Sequence, residues 1–190
     1  MKEFILRRRD GLTILLALLS LSAALTHGAS AQGRRGSARG NNPAPARCRQ
    51  DRLSVRRVNE DAAMGGVRTV SYAFTNNSSS PCSLEGYPRF EVLNGAGRVV
   101  RGGRASDGLT MLDGDARTPP HLVTIEPGKA AAFLVYYNAG GAGRMKPCPT
   151  YRRVRITPPG AVRGFVLREP LQLCGELQVS PVGSPAAEGL

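Results

Sequence analysis

The sequence predicts an all-β fold: a two-sheet antiparallel sandwich of about eight strands, immunoglobulin-like in general shape and held by two disulfides. Three observations carry this expectation. Short runs of β-branched and aromatic residues alternate with polar ones. Gly, Pro, Asn and Asp punctuate those runs at short intervals. No stretch of useful length has the 3.6-residue period of an amphipathic helix.

The chain has 190 residues, which suits one domain with appendages. Its start carries Lys2, Arg7, Arg8 and Arg9, then an apolar run over 12–25, then Ala29-Ser30-Ala31 before Gln32. A basic segment, an apolar segment and a small-x-small site form a secretory signal, so residues 1–31 are expected to be removed on export. The apolar run is shorter than the roughly 20 residues of a membrane span, so no transmembrane segment is expected after removal. No Cys stands at the cleavage point to take a lipid. Arg8-Arg9-Asp10-Gly11-Leu12 resembles a twin-arginine signal, although a triple arginine is also ordinary signal charge.

Loss of the signal lowers the formal charge from +12 to +10, because four basic and two acidic residues leave with it. Such a balance attracts anionic surfaces and polymers over long range. Outside the cytoplasm those are lipid head groups and wall polymers, and nucleic acid is not an expected partner. Residues 32–47 contain no large apolar side chain and are rich in Gly, Pro and Arg, as a disordered linker is.

From Cys48 the β pattern begins, and the domain is expected over 48–182. Leu53 and Val55 alternate in 52–58; Val70, Tyr72 and Phe74 point inward in 67–74, with Thr69 and Ser71 outward. The stretch 76–90 is a strand exit, a cysteine tether and a strand entry, and the rest of the domain is arranged around it. Phe90 and Val92 share a face in 89–93, Asn94-Gly95-Ala96-Gly97 turns, and 98–101 returns. Residues 102–120 read as a long connection, either functional or mobile. Strand character resumes at 122–125, and Glu126-Pro127-Gly128-Lys129 turns. Residues 130–137 carry Phe133, Val135 and Tyr137 on one face and Leu134 and Tyr136 on the other, the pattern of a central strand. A glycine-rich tip at 138–143 leads to strands at 151–157, 163–167 and 176–179, and the tail from 183 is expected to fray.

Cys48, Cys82, Cys148 and Cys174 all lie in the exported part, where an even count means disulfides. If the first two strands form a hairpin, Cys48 and Cys82 meet at its outer ends; the same argument for 151–157 and 163–167 joins Cys148 to Cys174. A zinc site or a redox centre would need a close Cys-x-x-Cys pair, and none is present.

Chemistry is sparse. After export His121 is the only histidine, with no Gly-x-Ser-x-Gly elbow beside it, which speaks against a serine hydrolase. Asp113-Gly114-Asp115 with Asp107 upstream approaches a calcium loop, but the closing bidentate acid is missing and an Asx-type turn accounts for it better. Asn76-Asn77-Ser78-Ser79 holds two overlapping glycosylation sequons, read as turn residues. Arg153 and Arg155, two apart on an outward face, are candidate contacts for a phosphate or carboxylate; cross-strand pairing with Glu176 or Glu169 explains them as well and is preferred. Tyr136, Tyr137 and Tyr151 fit either an aromatic contact surface or core and edge positions.

Several segments resemble the domain of unknown function family 4232, a family of exported bacterial domains. They are Cys48 with Leu53 and Val55; Asn76-Asn77-Ser78 leading to Pro81-Cys82-Ser83-Leu84-Glu85-Gly86-Tyr87-Pro88; Ile125-Glu126-Pro127-Gly128 with Ala130 and Phe133; Cys148; Cys174-Gly175-Glu176-Leu177; and Val179-Ser180-Pro181. The Pro-Cys-x-Leu-x-Gly-Tyr-Pro run is the most specific. The resemblance implies an exported β-sandwich with two disulfides and supplies no activity or catalytic residues.

The expectation for function is a secreted or periplasmic, non-catalytic binding module associated with the envelope, without cofactor or metal, whose partner is an anionic envelope surface or another envelope protein. Two other classes stay open: a hydrolase built on His121 or the aspartates of 107–115, and a calcium-dependent adhesion module.

Overall fold

A computed structural model describes residues 44–109, 119–140 and 147–183, all within the unit Asn42–Leu190. The signal segment, linker residues 32–43, Asp113, Asp115, the far part of the glycine-rich tip and the tail from 184 lie outside the described residues.

The described strands are β1 (Leu53–Ala63), β2 (Val67–Asn76), β3 (Cys82–Leu84), β4 (Arg89–Leu93), β5 (Val99–Arg104), β6 (Ser106–Asp107), β7 (Val123–Ile125), β8 (Ala130–Asn138), β9 (Thr150–Tyr151), β10 (Arg153–Thr157), β11 (Phe165–Leu167), β12 (Leu171–Gln172) and β13 (Leu177–Val179). A five-stranded sheet runs β1-β2-β8-β13-β6 and a four-stranded sheet runs β11-β10-β4-β5. Two small ribbons, β3-β7 and β9-β12, complete the set. The strands outnumber the eight expected because several are only two or three residues long.

The core lies between the two large sheets. Val70, Tyr72 and Phe74 of β2 and Phe133, Val135 and Tyr137 of β8 meet Phe90 and Val92 of β4 and Val154 and Ile156 of β10. Tyr72 contacts the Phe90 ring at a 5.5 Å centroid distance, while Phe74 stacks on Phe133 at 5.1 Å. Such ring pairs add stabilisation beyond the area they bury, which supports a core without tryptophan. As its two apolar faces predict, β8 is central, between β2 and β13. Its other face forms a second cluster, Leu134 and Tyr136 with Leu109.

Both cross-links stand where hairpin topology places them, Cys48–Cys82 and Cys148–Cys174, with Cα atoms 4.8 and 5.0 Å apart. The first closes the β1–β2 pair, which runs from Leu53 opposite Asn76 to Ala63 opposite Val67. The second sits beside the β9–β12 ribbon, where Leu171 faces Tyr151.

Asn76 knots the 76–90 joint. Its Nδ2 donates to the carbonyls of Ser80 and Ile125, both at 2.9 Å, and its Oδ1 accepts from the Ser78 amide and hydroxyl. Its backbone pairs with Lys129 and Gly128 in the turn before β8. The sequon asparagine at 76 is therefore buried, with both amide hydrogens committed.

Four expectations need correction. The connection expected over 102–120 starts later, because β5 continues to Arg104 and β6 pairs with β13. That β6–β13 pair is parallel, so the sandwich is not wholly antiparallel. Ser71 is buried rather than outward-exposed, because the second cluster lies on that face of the sheet. The last linker residues are tied down: the Ser83 amide donates to the Ala46 carbonyl, the Ser83 hydroxyl to the Pro45 carbonyl, and the Cys48 amide to the Ser83 carbonyl.

Candidate functional site

Alternation in Arg89-Phe90-Glu91-Val92-Leu93 sends Phe90 and Val92 into the core, so Arg89, Glu91 and Leu93 occupy the outer face of the four-stranded sheet. Strand order then sets their neighbours. Glu91 faces Arg155 on β10 and Arg104 on β5, and Arg89 faces Thr157. One carboxylate thus stands amid three guanidinium groups.

The geometry is close. Arg155 donates from Nε at 2.7 Å to Glu91 Oε2, and its Nη2 lies 2.6 Å from the same oxygen. Arg104 donates to Oε1 through Nη2 at 3.0 Å and Nε at 3.3 Å. Arg89 brings a third charge to 3.8 Å and also donates to the Thr157 hydroxyl. The Glu91 side chain is only 2% exposed, whereas those of Arg155, Arg104 and Arg89 are 34%, 67% and 49% exposed. It is the arginines, not depth in the core, that shut the carboxylate away from water.

Burial pushes the Glu91 pKa up, but the hydrogen bonds from Arg155 and Arg104 and the charges of Arg155 and Arg89 outweigh it, so the carboxyl sits below its ordinary value. An ionised carboxylate among permanently charged guanidiniums is a poor proton donor. Three cations share one anion, and two positive charges remain on a rigid face where their exposed edges can take an external oxyanion.

Of the residues singled out from sequence, Arg155 lies at this centre and Arg153 two rungs away on the same face, opposite Leu93. The Arg153 Nη1 donates to the Gly95 carbonyl at 3.3 Å. The cross-strand carboxylate of Arg155 is Glu91, not Glu176 or Glu169. Glu169 instead accepts from the Tyr72 hydroxyl at 2.7 Å. Burial and the Glu169 charge push the Tyr72 pKa far above the usual phenol range, and burial with the Glu60 charge pushes Tyr137 up to about 12. Tyr136 and Tyr137 are buried and Tyr151 is half-buried, so an aromatic contact surface does not form.

His121 is exposed. All four cysteines are in disulfides. Asp107 is exposed on β6, and among the described residues no group of three His, Cys, Asp or Glu side chains is placed to hold a metal ion. No described helix is long and apolar enough to cross a membrane.

Sequence reasoning passed over Glu91, Arg89 and Arg104. A lone acid inside an alternating run flanked by arginines was the available signal, but the β4–β10 neighbourhood links strands about 60 residues apart, which no local pattern reveals.

A family model described as Domain of unknown function (DUF4232) matches residues 48–183. No curated protein matches the chain.

Proposed function

Since the chain belongs to the DUF4232 family, a domain of unknown function, we propose from its own residues that it is an exported, non-catalytic binding module that docks an anionic envelope component on the outer face of the four-stranded sheet. The observation that carries this reading is the excess of guanidinium over carboxylate around Glu91, with Arg89, Arg104 and Arg155 all partly exposed. A signal-like start, two disulfides and a mature charge of +10 support a place outside the cytoplasm. The disulfides and core keep the face rigid, so little ordering entropy opposes binding.

The test is co-sedimentation of the exported chain, from Gln32 onward, with vesicles of phosphatidylglycerol or of phosphatidylcholine. Retention on the anionic vesicles alone is expected, falling as salt shortens the screening length below about 10 Å. The double variant Arg89→Gln/Arg104→Gln should be retained markedly less. Equal retention on both vesicles, or retention insensitive to salt, overturns the reading.

A further inference from the structure

At the far end of the same sheet the charge balance changes. The β10–β11 ladder ends with Val154 opposite Leu167, and just past that last rung Arg153 and Arg168 line one cleft. Like charges gathered in one place repel one another. Around Glu91 a carboxylate relieves such crowding by direct ion pairs, whereas Glu169, which lines this cleft, makes none with the arginines among the described residues. Among the described residues neither Arg153 nor Arg168 nor the adjacent Arg152 is ion-paired, and the nearby Glu169 has an oxygen engaged by the Tyr72 hydroxyl.

These three arginines line one cleft of about 510 Å³, together with Gly95, Glu169 and Pro170. The Arg153 bond to the Gly95 carbonyl anchors one wall. The volume falls in the range of small-molecule sites, larger than a bare oxyanion requires. Guanidinium forks match the oxygens of a phosphate, and three of them suit its several acceptors better than a carboxylate's two. We propose that the Arg152–Arg153–Arg168 cleft binds a phosphate ester, with its phosphate on the guanidiniums and a small polyol or sugar part filling the remainder. The proposal rests on the anion-docking reading above and adds to it, beside the Glu91 cluster, a separate cleft with one chemistry.

Calorimetric titration of the exported chain, from Gln32 onward, with glycerol 3-phosphate tests it, beside the vesicle assay. Saturable binding with a Kd of about 1 mM or tighter is expected. The variant Arg153→Gln/Arg168→Gln should bind at least about tenfold more weakly, while Arg56→Gln, exposed on β1 in the other large sheet, should bind as the parent does. Thermal melting supplies a second readout. Because the double variant lowers the positive charge crowded in the cleft, it should melt no lower than the parent, and glycerol 3-phosphate should raise the melting temperature of the parent alone. A parent that shows no saturable binding sinks the cleft. If that parent is still retained on phosphatidylglycerol vesicles, the broader reading stands; if it is not, both fall. Equal glycerol 3-phosphate affinity in parent and double variant likewise sinks the assignment, as does a phosphate effect that glycerol alone reproduces.

Discussion

Glu91 and Arg155 face one another across the β4–β10 ladder, with the Arg155 Nη2 2.6 Å from the Glu91 Oε2. The pair joins strands remote in sequence and holds the outer face of the four-stranded sheet in register. Arg104 extends it to β5, so a single carboxylate bridges three strands.

Glu91→Gln keeps the side-chain shape and removes the charge. Three guanidiniums then crowd without a counter-ion, and the partial exposure of the arginines limits the loss to about 1–3 kcal/mol. Urea unfolding measures it. An unchanged midpoint would mean the arginines are solvated independently of Glu91.

The same group predicts acid behaviour. Its folded pKa lies below the ordinary 4.5, so the folded state binds this proton less readily than the unfolded chain. Its stabilisation is complete above about pH 4.5 and is lost as pH falls through the folded value. The stability difference between parent and Glu91→Gln should therefore shrink on acidification from about pH 7 to pH 3. A difference constant across that range contradicts the assignment.

Asn76→Ala should cost about 2–3 kcal/mol, because it leaves the Ser80 and Ile125 carbonyls without their donor. Chemical denaturation reads the loss. Stability within a few tenths of the parent would place Asn76 outside the structural joint described above.

Cys48→Ser/Cys82→Ser should lose about 3–4 kcal/mol in the chain-entropy account, and Cys148→Ser/Cys174→Ser a similar amount, since the bridges span 34 and 26 residues. Hydrogen exchange separates the two. Removing the second bridge should release the two-residue β9–β12 pairing first, whereas exchange at those amides unchanged from the parent would count against the bridge's local role.

Gly164 lies against the floor of the arginine face. A Cβ there would meet the Thr157 Oγ1 at 2.5 Å, the Arg155 Cγ at 2.8 Å and the Ile156 carbonyl oxygen at 3.0 Å. Gly164→Ala should destabilise by about 1–3 kcal/mol and shift the Arg155 side-chain resonances in NMR spectra. Full stability with undisturbed Arg155 resonances would refute the close approach.

Local pattern determined the longer strands, the inward residues Phe74, Phe90, Phe133 and Val154, and the two cysteine pairs. Period-2 alternation and hairpin ends are properties of neighbouring residues, so the chain declares them without help from distant segments. The partner of Arg155, the parallel β6–β13 contact, the burial of Ser71 and the meeting of Arg152, Arg153 and Arg168 in one cleft depended on which strands became neighbours in each sheet. That order is settled by the collective burial of both sheets' apolar faces, an energy summed over the whole domain, and no short stretch contains it.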